Sequence, residues 1–252
     1  MLTFEQITKH YGSVCAADHV DLTLMPGESM ILAGESGSGK TTLARIAAGM
    51  EIPDSGRILL DGRPLAASNR KRTFHNSVSI QYIFQDPYNA LESGFTVRKT
   101  LEETVRICKR HGRETLSMEE ALGFVDARLV AYLDRPIREL SGGQRQKVCI
   151  ARALMPQPEI IVADESTSML DKQSSLDVFN LLNRIKKEKN VGVLVILHDV
   201  DFAYEQWDRI GVMYQGRLVE ETKFSQFRET AKHPYSRRLL EAYDFFNERN
   251  QK

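Results

Sequence analysis

The sequence predicts an α/β fold with a helical subdomain inserted into it. Three short apolar runs, Met30-Ile31-Leu32-Ala33, Ile160-Ile161-Val162-Ala163 and residues 193–197, have the continuous character of buried strands. Between the first two, residues 97–133 switch to a charged, helical spacing. Ahead of them, Leu2, Phe4 and Gln6 and then Val20, Leu22 and Leu24 recur at period 2, as half-buried strands do.

A chain of 252 residues, 42% hydrophobic and 27% charged, can bury an ordinary core, which argues against disorder. Lys+Arg and Asp+Glu both number 34, so no global field draws the chain to nucleic acid or to an anionic membrane. Cys15, Cys108 and Cys149 lie far apart without a CxxC pair, which disfavours a disulfide framework or a metal cluster and fits a reducing cytoplasm. The longest apolar run, residues 191–197, is far short of the roughly 20 residues that span a bilayer. Any membrane association is therefore expected through another protein.

In chain order, Pro26-Gly27 ends the period-2 region, and the first apolar run leads into Gly34-Glu35-Ser36-Gly37-Ser38-Gly39-Lys40-Thr41. Helical spacing follows at Leu43, Ala44, Ile46 and Ala47, so the GxxxxGK[ST] pattern sits in a strand, loop, helix context. Glycines let several N–H groups converge on phosphate oxygens, which a Cβ would obstruct. Lys40 is expected to reach the β and γ phosphates, and the Thr41 hydroxyl to hold Mg²⁺. Gly56-Arg57-Ile58-Leu59-Leu60-Asp61-Gly62 reads as a strand ending in a turn. The basic run Asn69-Arg70-Lys71-Arg72 lacks interleaved aromatics and reads as a solvated face, so no nucleic acid partner is expected.

Residues 79–84 return to strand character and stop at Gln85-Asp86-Pro87. Within the helical insertion Leu101, Val105 and Ile107 and then Leu122, Phe124, Val125 and Leu129 form apolar stripes. The insertion closes with Leu140-Ser141-Gly142-Gly143-Gln144-Arg145-Gln146-Lys147 and a helix through Val148, Ala151 and Leu154 that ends at Pro156. Ser141 can cap that helix, Gly142 and Gly143 leave N–H groups uncovered, and the macrodipole favours an anion there. The second buried run delivers Asp164 and Glu165 at its C-terminal end, where open α/β sheets place ligands; Asp164 is expected on Mg²⁺ and Glu165 as general base for water. A helix after Asp171 puts Leu176, Phe179, Leu182 and Ile185 on one face, with Arg184, Lys186 and Lys187 near its cation-favouring end. The third run ends in His198, expected at the γ phosphate or the attacking water; His10, His19, His75, His111 and His233 have no comparable placement. Residues 211–220 suggest a hairpin turning at Gln215-Gly216, and the tail from Lys232 is amphipathic.

Together these motifs resemble the nucleotide-binding subunit of an ATP-binding-cassette transporter, over residues 1–240. The resemblance implies a P-loop NTPase (RecA-like) core, an antiparallel β subdomain and an inserted α-helical subdomain. As one domain, the chain divides into core residues 1–85 and 155–230, a signature lobe 86–154 and a tail 231–252. It also implies roles: Gly34 to Thr41, with Thr42 beside it, as the Walker A loop; Gln85 as the Q-loop glutamine and a contact to Mg²⁺; Ser141, Gly142, Gly143 and Gln144 as the signature. Asp164 closes Walker B, Glu165 is the catalytic base, His198 the switch histidine, and Tyr11 the aromatic on which adenine stacks. Where the family commonly has Pro-Thr-Ser-Ala-Leu-Asp, this chain reads Ser166-Thr167-Ser168-Met169-Leu170-Asp171, in the loop that touches the other subunit.

The expected cofactors are ATP and Mg²⁺, and the expected activity is ATP hydrolysis. The implied partners are a second cassette ATPase packed head to tail, a paralogue or a copy, two integral membrane permeases, and indirectly an extracytoplasmic solute-binding protein. The place implied is the cytoplasmic face of the membrane. Gly34-Glu35-Ser36-Gly37, residues 84–91, His233-Pro234-Tyr235 and Arg238-Leu239-Leu240 resemble the dipeptide, oligopeptide and nickel importer branch, and Thr42-Leu43-Ala44-Arg45 its second ATPase. No cysteine-rich cluster tail is expected. The competing expectation is a non-transport cassette ATPase of cofactor assembly, repair or translation.

Overall fold

The computed structural model describes residues 1–65, 74–166, 170–197 and 207–250. The basic run at Asn69–Arg72, Thr167 to Met169 of the divergent loop, and His198 lie outside the described residues.

The chain opens with β1 (Leu2–Tyr11) and β2 (Val14–Leu24), then β3 (Ser29–Gly34) and α1 (Lys40–Ala47). Strands β4 (Ser55–Leu60) and β5 (Arg63–Pro64) join the first pair in an antiparallel sheet of order β2-β1-β4-β5. The expected period 2 holds for Leu2 and Phe4, which are fully buried, but breaks at Gln6. Gln6 takes a left-handed φ of 50° inside a register shift between Phe4 and Ile7, so it turns to solvent and Ile7 takes the buried place.

Helix α2 (Phe74–Ser79) precedes β6 (Ile80–Ile83), a strand shorter than the expected 79–84. Asp86 ends that run by capping the short α3 (Pro87–Ala90), with Pro87 at the first helical position. The helical region then continues through α4 (Val97–Arg110), α5 (Met118–Asp126), two 3₁₀ turns (Ala127–Tyr132 and Ile137–Glu139) and α6 (Gly142–Leu154). Leu101, Leu122, Val125 and Leu129 are buried as expected, whereas Ile107 is 49% exposed. On α4 the buried stripe runs through Val97, Thr100, Leu101 and Cys108, and Ile107 falls outside it.

After α6 come β7 (Ile160–Asp164), α7 (Lys172–Lys189), β8 (Gly192–Leu197), β9 (Arg209–Tyr214), β10 (Arg217–Lys223), a single turn α8 (Phe227–Thr230) and α9 (Pro234–Asn250). The six-stranded sheet has the order β10-β9-β3-β8-β7-β6, parallel throughout except for the β9–β10 hairpin. That hairpin turns at Gln215-Gly216, both with positive φ, as a two-residue turn requires.

The central strands read as continuous apolar runs because both faces are covered. Along β3, Met30 and Leu32 join a core with the antiparallel sheet and α1, while Ile31 and Ala33 join a second core against the helical region and α7. Strands β7 and β8 divide in the same way, Ile160 and Val162 from Ile161 and Ala163, and Leu194 and Ile196 from Val193 and Val195. Lys186, expected as a cation near the C-terminal end of α7, stands in its last turn. It is buried, donating to Ser29 Oγ at 3.0 Å and Asp208 Oδ2 at 2.8 Å, so it ties α7 to the sheet edge.

Candidate functional site

The parallel strands end on one edge of the sheet, and the predicted chemistry collects there. β3 runs into the glycine loop, whose Gly39 precedes α1 with φ 104°. A Cβ at Gly39 would lie 1.9 Å from the Ala16 carbonyl oxygen of β2, so the loop can pass this strand only as glycine. Gly216 of the β9–β10 turn donates its N–H to Ser38 O at 3.2 Å, and the Tyr235 phenol, stacked on Tyr214 at 4.8 Å, faces Glu35. Ser36 and Gly37 are left exposed at the loop's tip.

Lys40 is almost wholly buried, with Nζ donating to Gly34 O at 2.7 Å and Glu35 O at 2.8 Å. Burial lowers its pKa, and the opposing charges of Glu165, Asp164 and Glu35 raise it in turn. Those carboxylates thus belong to the same site. At the end of β7, Thr41 Oγ1 donates to Asp164 Oδ1 at 3.2 Å, and the Tyr82 hydroxyl donates to Asp164 Oδ2. Gln85, just beyond β6, donates Nε2 to Glu165 Oε2 at 2.9 Å. Glu165 itself has a left-handed φ of 44°, and its N–H is held by Ile196 O of β8 at 3.1 Å. A non-glycine residue at positive φ is costly, and such strain gathers at functional sites.

The signature stands elsewhere. Ser141 and Gln144 form a reciprocal capping box at α6, Gln144 N to Ser141 Oγ at 3.3 Å and Ser141 N to Gln144 Oε1 at 3.0 Å. Gln144 therefore uses its amide oxygen on its own helix. Gly143 lies against Ser174 of α7 and Gly142 beneath Tyr88 and Leu170. The Arg145 guanidinium sits 4.4 Å over the Tyr88 ring and donates to Leu140 O. Ser141, Gly143 and Gln144 face a cleft of about 210 Å³ with Asp126, Lys147, Ser174 and Asp177, to which the glycine loop contributes no residue. Tyr11, 45% exposed, ends β1 in the hairpin whose β2 strand carries Ala16 against Gly39, with the Lys9 ammonium 5.5 Å from its ring centroid.

A profile of the ABC transporter family matches residues 17–168. The chain belongs to that family. The ABC chain is 38% identical to a putative oligopeptide transport ATP-binding protein, YkfD, of Bacillus subtilis, over 95% of this chain and 75% of that one. It is 35% identical to the oligopeptide transport ATP-binding protein OppF of the same organism, over 96% and 82%. Among solved structures it resembles cbiO1 of Clostridium perfringens, part of the ABC transporter complex cbiONQ, with a TM-score of 0.79 at 29% identity over 90% of each chain. It also resembles the dimeric bacterial ABC transporter cassette MJ0796, with a TM-score of 0.72 at 27% identity, covering 89% of this chain and 99% of that one. The fold is accordingly the P-loop NTPase cassette, and the chain is an ATP-binding ATPase.

The sequence reading missed Tyr82 and Tyr235. Tyr82 lay in a short strand-like run just ahead of the residues 84–91 motif and outside it, and its pairing with β7 brings it to Asp164. Among the described residues no group of three or more His, Cys, Asp or Glu side chains could hold a metal, and no helix is long and apolar enough to cross a membrane.

Proposed function

We propose that this chain is the ATP-hydrolysing subunit that energises import of small peptides, or of nickel or other metal complexes, through two separate permeases. It would work peripherally at the cytoplasmic face of the membrane, opposite an extracytoplasmic solute-binding protein, and in a head-to-tail pair with a paralogous cassette or a copy of itself. One observation carries the reading: Lys40, Asp164, Glu165 and Gln85 converge at one sheet edge, while the signature opens on a separate cleft. A signature turned away from its own glycine loop suits a phosphate presented by another chain. Oligopeptide transport in the names of YkfD and OppF supports peptides as the cargo.

The residues suggest how the site works. Gly34, Glu35, Ser36, Gly37, Ser38 and Gly39 would wrap the phosphates with Thr42 behind them, adenine would stack on Tyr11, and Lys40 would exchange two carbonyl partners for β and γ phosphate oxygens. Thr41 Oγ1 and Asp164 Oδ1 form a pair of hard oxygen donors, a set that fits Mg²⁺, which takes one or two protein oxygens and completes its shell with phosphate and water. Mg²⁺ held by Thr41, Asp164 and Gln85 would neutralise charge on the β and γ phosphates. Glu165, held by Gln85 through Oε2, would take the proton of the attacking water. His198 is assigned to the γ phosphate by the family pattern. From the partner's side, Ser141, Gly142, Gly143 and Gln144 would present hydroxyl and N–H donors to the same phosphate at a helix N-terminus. ATP would thereby join the two chains, and hydrolysis would release them.

Glu165→Gln tests the reading: in the assembled transporter, phosphate release should fall by roughly 10²- to 10⁴-fold while ATP still binds. Near-normal hydrolysis would remove Glu165 as the base. Affinity purification of the chain from membranes should bring two integral membrane proteins with it, and recovery without them would favour a non-transport ATPase.

A further inference from the structure

Both oxygens of the Asp164 carboxylate are engaged, and only one of the engaging groups belongs to a nucleotide-binding motif. Thr41 Oγ1 takes Oδ1 at 3.2 Å; Oδ2 accepts from the Tyr82 hydroxyl. The placement follows from strand geometry. Tyr82 on β6 is the register partner of Val162 on β7, and residues two apart on a strand share a face, so Tyr82, Val162 and Asp164 look the same way. Asp164 is one two-residue repeat further along, roughly 7 Å at about 3.3 Å per residue, a span that a phenol can bridge and a shorter side chain cannot. The ring is fixed along its length, half-buried against the core shared with α1 and edge-on to Phe84 at 4.9 Å. The Arg45 guanidinium of α1, one helical turn after Thr41, also hydrogen-bonds the phenol. Arg45 can thus donate to the phenol oxygen while the phenol donates to Asp164.

We infer that Tyr82 is a positioning residue for the divalent cation: by tying Oδ2 it stops the carboxylate from rotating and keeps Oδ1 directed to the Thr41 hydroxyl. The inference rests on the reading that Thr41 and Asp164 receive Mg²⁺. A carboxylate tethered at one oxygen meets the cation already oriented, whereas a free one must be ordered as the cation binds. Partners that orient a metal's ligands in this way commonly change affinity by about 10- to 100-fold when removed.

The test is an electron paramagnetic resonance titration of Mn²⁺ into the full chain saturated with ADP, for the native protein, Tyr82→Phe, Asp164→Asn and the double variant. Affinity for ADP in excess EDTA is measured alongside. Phenylalanine keeps the ring and its packing and deletes only the hydroxyl. Tyr82→Phe should weaken Mn²⁺ by about tenfold, leave metal-free ADP affinity within about twofold, and have no further effect once Asp164 is asparagine. If the native protein binds Mn²⁺ with dependence on Asp164 and Tyr82→Phe binds it equally well, Tyr82 has no positioning role and the metal site stands. Should Asp164→Asn leave Mn²⁺ affinity unchanged, the metal reading falls and this inference with it. Parallel losses of Mn²⁺ and of metal-free ADP would show that the phenol supports the loop as a whole, which also overturns it.

Discussion

Gly142 and Gly143 occupy the first two positions of α6, where any other residue would serve the helix better. Neither has a positive φ, so their backbone does not require glycine. Nor does the room around them: a Cβ at Gly142 would lie 3.3 Å from Tyr88 Oη and 3.5 Å from Leu170 Cδ2, all side-chain atoms able to yield by a few tenths of an ångström. Gly142→Ala should therefore leave the isolated subunit as stable as before or more so, since alanine is favoured over glycine in a helix by roughly 0.5–1 kcal/mol. In a chain of this size that corresponds to a rise in Tm of no more than about 4 °C, read by calorimetry. Affinity of the isolated subunit for a fluorescent ATP analogue should not change. In the assembled transporter, by contrast, the proposed role of these N–H groups toward a partner's γ phosphate predicts that the added methyl lowers ATPase activity by about 10²-fold, the effect of losing a transition-state donor. A Tm lowered by more than about 4 °C would mean that glycine is there for the fold. Full ATPase activity in the assembly would refute the between-chain reading.

Lys40→Ala should abolish tight binding of the same fluorescent nucleotide to the isolated subunit; unchanged affinity would remove the lysine from the phosphate site. The thiols should separate by burial. Burial pushes Cys149 up to about 11 and also raises Cys108, so near pH 8 a maleimide should label Cys15 quickly and the other two only after unfolding. Asp126 is held below the usual carboxylate range by its hydrogen bond to Arg128, against burial and with help from Lys147. Its contribution to stability is complete above the unfolded value of roughly 3.9 and is lost as pH falls through the lower folded value. Asp126→Asn should accordingly lower Tm near neutrality and flatten its decline in acid, and an unaltered acid limb would count against the pairing.

What was legible in the sequence is what depends on neighbours in the chain. Strands β3, β7 and β8 were readable because strands covered on both faces need no polar residue. The Ser141 cap was readable because its partners lie within one turn. Contacts across the sheet were not. The role of Tyr82 depends on the register of β6 against β7, and Lys186, legible only as a cation near a helix C-terminus, is buried where Ser29 and Asp208 meet it from distant parts of the chain. Gln6 broke an alternation for a related reason: a Cβ at Gly56 on the neighbouring strand would lie 2.4 Å from the Gln6 carbonyl oxygen, and a bulge with so close an approach leaves no trace in the pattern of β1.

The position of β3 has a consequence for the chain as it is being made. Its two neighbours in the sheet are β8 and β9, so the strand that carries the phosphate loop leaves the ribosome while both of its hydrogen-bonding edges wait for residues 192–214. The turn that holds Ser38 through Gly216 and the tyrosine beside Glu35 arrive later still. Until then the newborn chain displays an unpaired strand with an apolar centre at Met30 to Ala33, the kind of edge that invites aggregation and calls for chaperones. It gains a competent ATP pocket only once β8 and β9 have followed, so fragments cut short before β9 should neither bind nucleotide nor compete with finished subunits for assembly.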